Sequence, residues 1–357
     1  MRRARPILPA VPGLSRLLPF LLTLAAALAG GALSHALRVP LAWMIGAMLG
    51  TAMLAWRRPV AVHPAGRPGA LILLGLAFGQ TFSGPVLAAL LEALPSIVAA
   101  GLLSIAAGLA AVPIFTRLAG TDARSGYFSA VPGGVIVMVV LAQRAGASVP
   151  TVTLAQTLRV VIVVLLVPAA LTAFAPHGDG AAFLAPRLAV APAGLAAMLA
   201  LGTLAAFALR RTGIAKPWMI GPCALSLLAA ALGVLPSAIP SALVDAAQVA
   251  MGMALGQRLT REFLLRSRRL LLASALSALF LVGLCLVLAL LLAWASGLPP
   301  AAVLLGLAPG GMPEMGVTAK ALEVAVPLVL AFHLTRTLMC NFLLGPLWGV
   351  LSRLGWR

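Results

Sequence analysis

Val131-Pro132-Gly133-Gly134-Val135 breaks an apolar run, and Ala308-Pro309-Gly310-Gly311-Met312 breaks another 177 residues later. Proline removes a backbone donor and glycine relaxes the chain, so each triplet is the strongest helix interruption in its neighbourhood. Reading outward, further landmarks repeat at almost the same spacing. Trp43-Met44-Ile45-Gly46 returns as Trp218-Met219-Ile220-Gly221. Gly75-Leu76-Ala77-Phe78-Gly79-Gln80 returns as Gly252-Met253-Ala254-Leu255-Gly256-Gln257, and Arg159 returns as Arg336. Four landmarks in one order at a near-constant offset identify an internal duplication.

The chain has 357 residues, 62% hydrophobic and 9% charged. A soluble domain carries about a quarter charged residues, so the solvent that suits this composition is a bilayer. Each copy holds six apolar segments. They run near 17–36, 40–56, 69–90, 94–116, 127–143 and 151–174 in the first copy. In the second they run near 189–209, 217–235, 241–257, 270–295, 300–319 and 326–352. The expected units are membrane repeats over 16–174 and 189–353. Arg2, Arg3, Arg5 and Arg16 ahead of the first apolar run imitate a secretory signal, but a segment with an internal twin is expected to stay in the protein.

Basic residues decide between two topologies. If all twelve segments span, the cluster Arg258, Arg261, Arg266, Arg268 and Arg269 faces outward, against the positive-inside rule. If each Pro-Gly-Gly segment instead enters and leaves on one side, only Arg38, Arg187 and Lys320 remain outside, and both termini are cytoplasmic. Five spans per copy is an odd number, so the copies lie upside down relative to each other. The expected fold is therefore all-α: two inverted repeats, each of about five transmembrane helices plus one broken or re-entrant segment. Inverted repeats with interrupted helices are typical of secondary transporters. A simple kink at each Pro-Gly-Gly in a spanning helix is the competing reading.

Non-helical backbone at membrane depth is tolerated only inside protein or beside water. Pro132, Gly133, Gly134, Pro309, Gly310 and Gly311 are thus candidates for binding a solute through free amides and helix N-termini. Arg159 and Arg336 sit in apolar runs where an arginine costs roughly 2.5–3.5 kcal/mol. Anion binding or anchoring of the broken segment through its carbonyls would justify that; snorkelling to the interface is the alternative. Glu314 has no acidic counterpart in the first copy. Pairing with Arg336 or Lys320 is its expected role, and carriage of a coupling proton the other. The paired glycines before Gln80 and Gln257 are expected to let helices approach closely, with the glutamines themselves as cavity-lining candidates.

Several classes drop out. Cys223, Cys285 and Cys340 stand apart, and His35, His63, His177 and His333 form no ligand motif, so no metal or other cofactor is expected. The net charge of +18 is spread over short loops, which argues against a nucleic-acid partner. No GxxxxGK[ST] sequence occurs. No nucleophile–base pair stands out, so an enzyme is not expected.

The doubled WMIG and GxxxGQ motifs with the paired Pro-Gly-Gly and arginine positions resemble the AbrB family of bacterial membrane proteins, over roughly residues 16–353. That family is unrelated to the soluble DNA-binding protein of the same name. The resemblance implies a duplicated inner-membrane protein and brings a label of gene-expression regulator. It also brings a label of ammonia monooxygenase, which four scattered histidines do not support. The resulting expectation is a secondary transporter or exporter of a small solute, anions included. Its partners would be the lipid bilayer and that solute, with homo-oligomerisation of the chain left open. The alternative is a membrane-embedded regulator acting indirectly.

Overall fold

The computed structural model describes residues 14–174, 189–212, 216–265 and 267–356. Arg2, Arg3, Arg5, His177, Arg187 and Arg266, named above, lie outside the described residues, as does the Arg16 side chain. The described residues are helical, without strands. The first copy contains α1 (Leu14–Ala36), α2 (Ala42–Ala55), α3 (Gly66–Gly79), α4 (Gly84–Glu92), α5 (Leu94–Ala119), α6 (Ala123–Ala130), α7 (Val135–Arg144) and α8 (Val149–Phe174). The second contains α9 (Pro192–Arg211), α10 (Pro217–Ala231), α11 (Ser241–Gly256), α12 (Arg261–Leu265), α13 (Arg268–Ser296), α14 (Pro300–Leu307), α15 (Met312–Ala321) and α16 (Val326–Arg353). The order of long, short and broken elements is the same in both.

Local chemistry sets the boundaries. Prolines occupy the first turn of α4, α5, α9, α10, α14, α15 and α16, where the missing N–H has no helical acceptor anyway. Gly120 and Gly297 end α5 and α13 with φ of 64° and 67°, the left-handed turn that suits glycine. Ser267 opens α13 by accepting from the Leu270 amide, as Asp122 opens α6 by accepting from Ser125.

Six helices are long and apolar enough to cross a bilayer: α1, α5, α8, α9, α13 and α16. Their outer faces carry exposed Leu33 and Leu21 on α1, Leu204 and Phe207 on α9, and Leu290 and Trp294 on α13. Such faces belong against lipid, and the chain is a multi-pass membrane protein. The expected five straight spans per copy need correction. The segment read as 69–90 is α3 and α4, bent by 89°. Helices α2, α3, α10 and α11 have only 14–16 residues, or about 21–24 Å of rise, less than the ~30 Å hydrocarbon thickness. They are apolar because other helices cover them. A hydropathy window cannot separate protein cover from lipid cover.

The two copies interlock through these short helices. Gly75 and Gly79 of α3 lie on Met219 and Cys223 of α10, and Gly252 and Gly256 of α11 lie on Met44 and Met48 of α2. The glycines of each GxxxGQ stretch therefore admit the WMIG helix of the other copy to backbone contact. Within the first copy, Gly46 and Gly50 seat α2 against Gly30 and Ala26 of α1. Directions follow from the contacts. Helix α11 runs with α2, since Gly252 meets Met44 and Gly256 meets Met48 and Thr51. Helix α3 runs with α10 for the same reason. At the C-terminal end of α3, Gln80 Nε2 donates to Ser237 O (2.7 Å) and Gln80 Oε1 accepts from Ile239 N (3.2 Å), just before α11 begins. So α3 opposes α11, its counterpart in sequence. Likewise Arg269 Nε donates to Leu118 O at 2.9 Å, bringing the end of α5 to the start of its counterpart α13.

Candidate functional site

Helix α6 ends at Ala130 and α7 begins at Val135, with Val131–Gly134 unwound between them; α14 and α15 flank Ala308–Gly311 in the same way. Neither Pro-Gly-Gly lies in continuous helix. The last carbonyls of α6 and α14 have no helical donor, and inside a membrane each would be expensive to leave unpaired. The final helix of each copy supplies the donors. From α8, Arg159 Nη1 donates to Val131 O (3.3 Å) and Nη2 to Gly133 O (3.1 Å). One turn earlier, Gln156 Nε2 donates to Phe128 O (2.8 Å) and Val131 O (3.1 Å).

The second copy repeats this with shorter bonds. From α16, Arg336 Nη1 donates to Ala308 O and Nη2 to Gly310 O, both at 2.7 Å. Arg336 Nη2 also lies 2.8 Å from His333 Nδ1. Donation to Nδ1 leaves the ring proton on Nε2, which then donates to Leu305 O at 2.9 Å. His333 and Gln156 are 177 residues apart, as are the two arginines. The spacing i, i+3 places both polar side chains on one helix face. Arg159 and Arg336 are 4% and 7% exposed, so they do not snorkel. Each cation lies at a helix C-terminus, the end whose dipole favours it.

The unwound stretches also meet residues of the other copy. Cys340 Sγ on α16 donates to Pro132 O (3.0 Å) of the first copy. Its sequence counterpart, Val163 on α8, places Cγ1 2.9 Å from where a Gly310 Cβ would stand. Both broken segments thus face one interior region between the copies.

Two charged groups complete the site. Lys216, a basic residue between two apolar runs, turns inward: Nζ donates to Thr337 Oγ1 at 3.2 Å, and Cε lies 3.6 Å from a Cβ position on Gly134. Lys216 holds φ at 58°, as Leu41 at the same place before the first WMIG holds 52°. Glu314, 4% exposed, folds over Gly311 at the start of α15, and its Oε2 has no hydrogen-bond partner. The expected pairing with Arg336 or Lys320 is not made. Both terminal nitrogens of Arg336 are taken by loop carbonyls and His333. Lys320 is exposed and six residues along α15, on another face.

Of the residues singled out from sequence, each arginine joins the Pro-Gly-Gly of its own copy, and Glu314 joins the second. Gln156, His333 and Lys216 were missed. The first two are polar residues in apolar runs at the duplication offset, a signal available but unused. Gln80 ties α3 to the α11 start, and Gln257 lines a cavity described below. Among the described residues, no three His, Cys, Asp or Glu side chains gather as a metal-binding group.

A family model described as "Transition state regulatory protein AbrB" matches residues 43–352, from the first WMIG to the end of the last helix. The chain is also 25% identical over 350 residues to the "Uncharacterized protein YhjN" of Bacillus subtilis (strain 168), a match covering 91% of each.

Proposed function

The chain belongs to the AbrB family, and on that premise we propose that it is a secondary transporter or exporter of a small solute, built as two inverted repeats in the inner membrane. One observation carries the reading. Two unwound Pro-Gly-Gly segments, each held by a buried arginine, face a shared interior that also contains Lys216 and the unpaired carboxylate oxygen of Glu314. A bilayer protein that needed only stability would fill this space with apolar side chains. Charged groups and loose backbone at such a place mark a solute or ion route. The reading assigns the chain no catalysis.

The opposed directions of α3 and α11, and of α5 and α13, support the inverted arrangement. Labelling tests it. Single cysteines introduced as Arg144→Cys or Arg210→Cys, both at exposed sites, go into a background without Cys223, Cys285 and Cys340. Both are expected to react with an impermeant maleimide only after the cells are opened. Reaction of position 210 in intact cells would overturn the topology.

Transport is tested in proteoliposomes loaded with a panel of organic acids and amino acids. Wild type is expected to give flux with at least one. Glu314→Gln and Lys216→Met, which leave both arginine braces in place, are expected to lower it at least tenfold without loss of folded protein. A panel with no flux would sink the reading. The family description favours a second reading, a regulator acting indirectly. If regulation follows from transport, Glu314→Gln loses both together. Regulation that persists without flux would favour the second reading.

A further inference from the structure

The duplication fails to repeat at one place. In the second copy α15 closes on α3: the Phe78 ring lies 2.7 Å from a Cβ position on Gly316, and Leu330 of α16 completes an apolar seal. At the equivalent place in the first copy, a cavity of about 460 Å3 opens between α7, α8 and the link from α11 to α12. That volume suits a small organic ligand. The sequence explains the difference. Val139 stands where the other copy has Gly316, so no ring could enter, and Leu255 stands where it has Phe78.

The lining has also changed character. Thr153 and Thr157 occupy the positions of Leu330 and Leu334, and Arg258 that of Thr81. Gln257 and Thr260 join this polar part, while valines of α7 and Phe263 supply the apolar part. Thr157 is 1% exposed, and its Oγ1 has no hydrogen-bond partner. Gln257 Nε2 makes only a long contact, 3.4 Å, to Ala254 O. A buried hydroxyl without a partner is destabilising unless something binds it. The lining carries one positive charge and no negative one. Its wall reaches Val135, the residue after the first Pro-Gly-Gly.

We propose that this cavity binds a small organic anion, one carboxylate or similar acid group on an apolar body. Arg258 is the counter-ion, Thr157 and Gln257 are donors, and the valines and Phe263 cover the apolar end. The assignment deepens the transporter reading by naming the solute class, and it rests on that reading for its meaning. Its test is an equilibrium measurement that needs no flux. The same chemistry is offered by an anionic lipid, so the test separates the two sources.

Purified protein in nanodiscs of phosphatidylcholine alone is titrated with hexanoate by calorimetry. Saturable binding is expected, with no competition from the neutral 1-hexanol. Arg258→Gln is expected to weaken it at least tenfold and Thr157→Val several-fold, with Arg258→Lys close to wild type as the folding control. In nanodiscs containing phosphatidylglycerol, unchanged affinity identifies a soluble acid as occupant. Competition that disappears in Arg258→Gln identifies a lipid. Both outcomes support the anion site. Binding that ignores both substitutions overturns it, as does no hexanoate binding in phosphatidylcholine together with indifference to phosphatidylglycerol. Hexanoate binding in a protein that moves nothing would sink the transporter reading alone.

Discussion

Gly256→Val is expected to be strongly destabilising. A Cβ at this position would overlap the Met48 carbonyl oxygen and come within 2.8 Å of Thr51 Cβ. Both obstacles belong to α2, so no side-chain rotation relieves them. Helix α2 would have to withdraw, opening the contact that joins the copies and breaking the 2.7 Å bond from Trp56 Nε1 to Leu259 O. Overpacking alone costs about 1–3 kcal/mol, and the lost hydrogen bond adds about 1 kcal/mol. Gly283→Val is the matched control, since a Cβ there meets nothing within 4 Å. The midpoint of thermal unfolding in detergent, followed by tryptophan fluorescence, should fall by about 3–5 °C for Gly256→Val and stay within about 1 °C for Gly283→Val. Equal midpoints would show that the interlock is not what holds the copies together.

Arg336→Ala is the second large effect. It removes two bonds of 2.7 Å to Ala308 O and Gly310 O and leaves those carbonyls and His333 without their donor. Each buried acceptor left without a donor costs about 1–3 kcal/mol. Arg159→Ala is expected to cost less. Its bonds are longer, and Gln156 continues to donate to Val131 O. His333→Gln, which writes the first copy's brace into the second, should retain most of the stability. The same unfolding assay checks all three. A larger loss for Arg159→Ala than for Arg336→Ala would contradict this account of the braces.

The duplication and the role of the GxxxGQ glycines were legible because they depend on residue identity at fixed spacing. Gly79 against Cys223, and Gly256 against Met48, are contacts that a larger residue would forbid. Helix lengths were less legible. Apolar residues continue past the ends of α2 and α10, and the 89° bend between α3 and α4 was announced only by Gly84-Pro85. Lys216 was hidden by the charge count itself. A lysine between two apolar runs is normally a loop residue, and only the reach of its side chain from the start of α10 to Thr337 of α16 reveals the inward turn. Glu314 was found, but its partner was misjudged. Proximity in sequence to Lys320 says nothing about the helix face, and Arg336 was already committed to backbone carbonyls.

The exchange of WMIG and GxxxGQ helices between copies bears on how the protein is made. When α2 and α3 leave the ribosome, their docking faces are uncovered. Met219 of α10, which covers Gly75 of α3, lies 144 residues behind it, and Gly252 of α11 lies 208 residues behind Met44 of α2. At about 5–20 residues per second these faces wait on the order of seven to forty seconds for their cover. During that interval the seats for α10 and α11 are open to any glycine-rich hairpin in the membrane, including one from a sister chain on the same messenger.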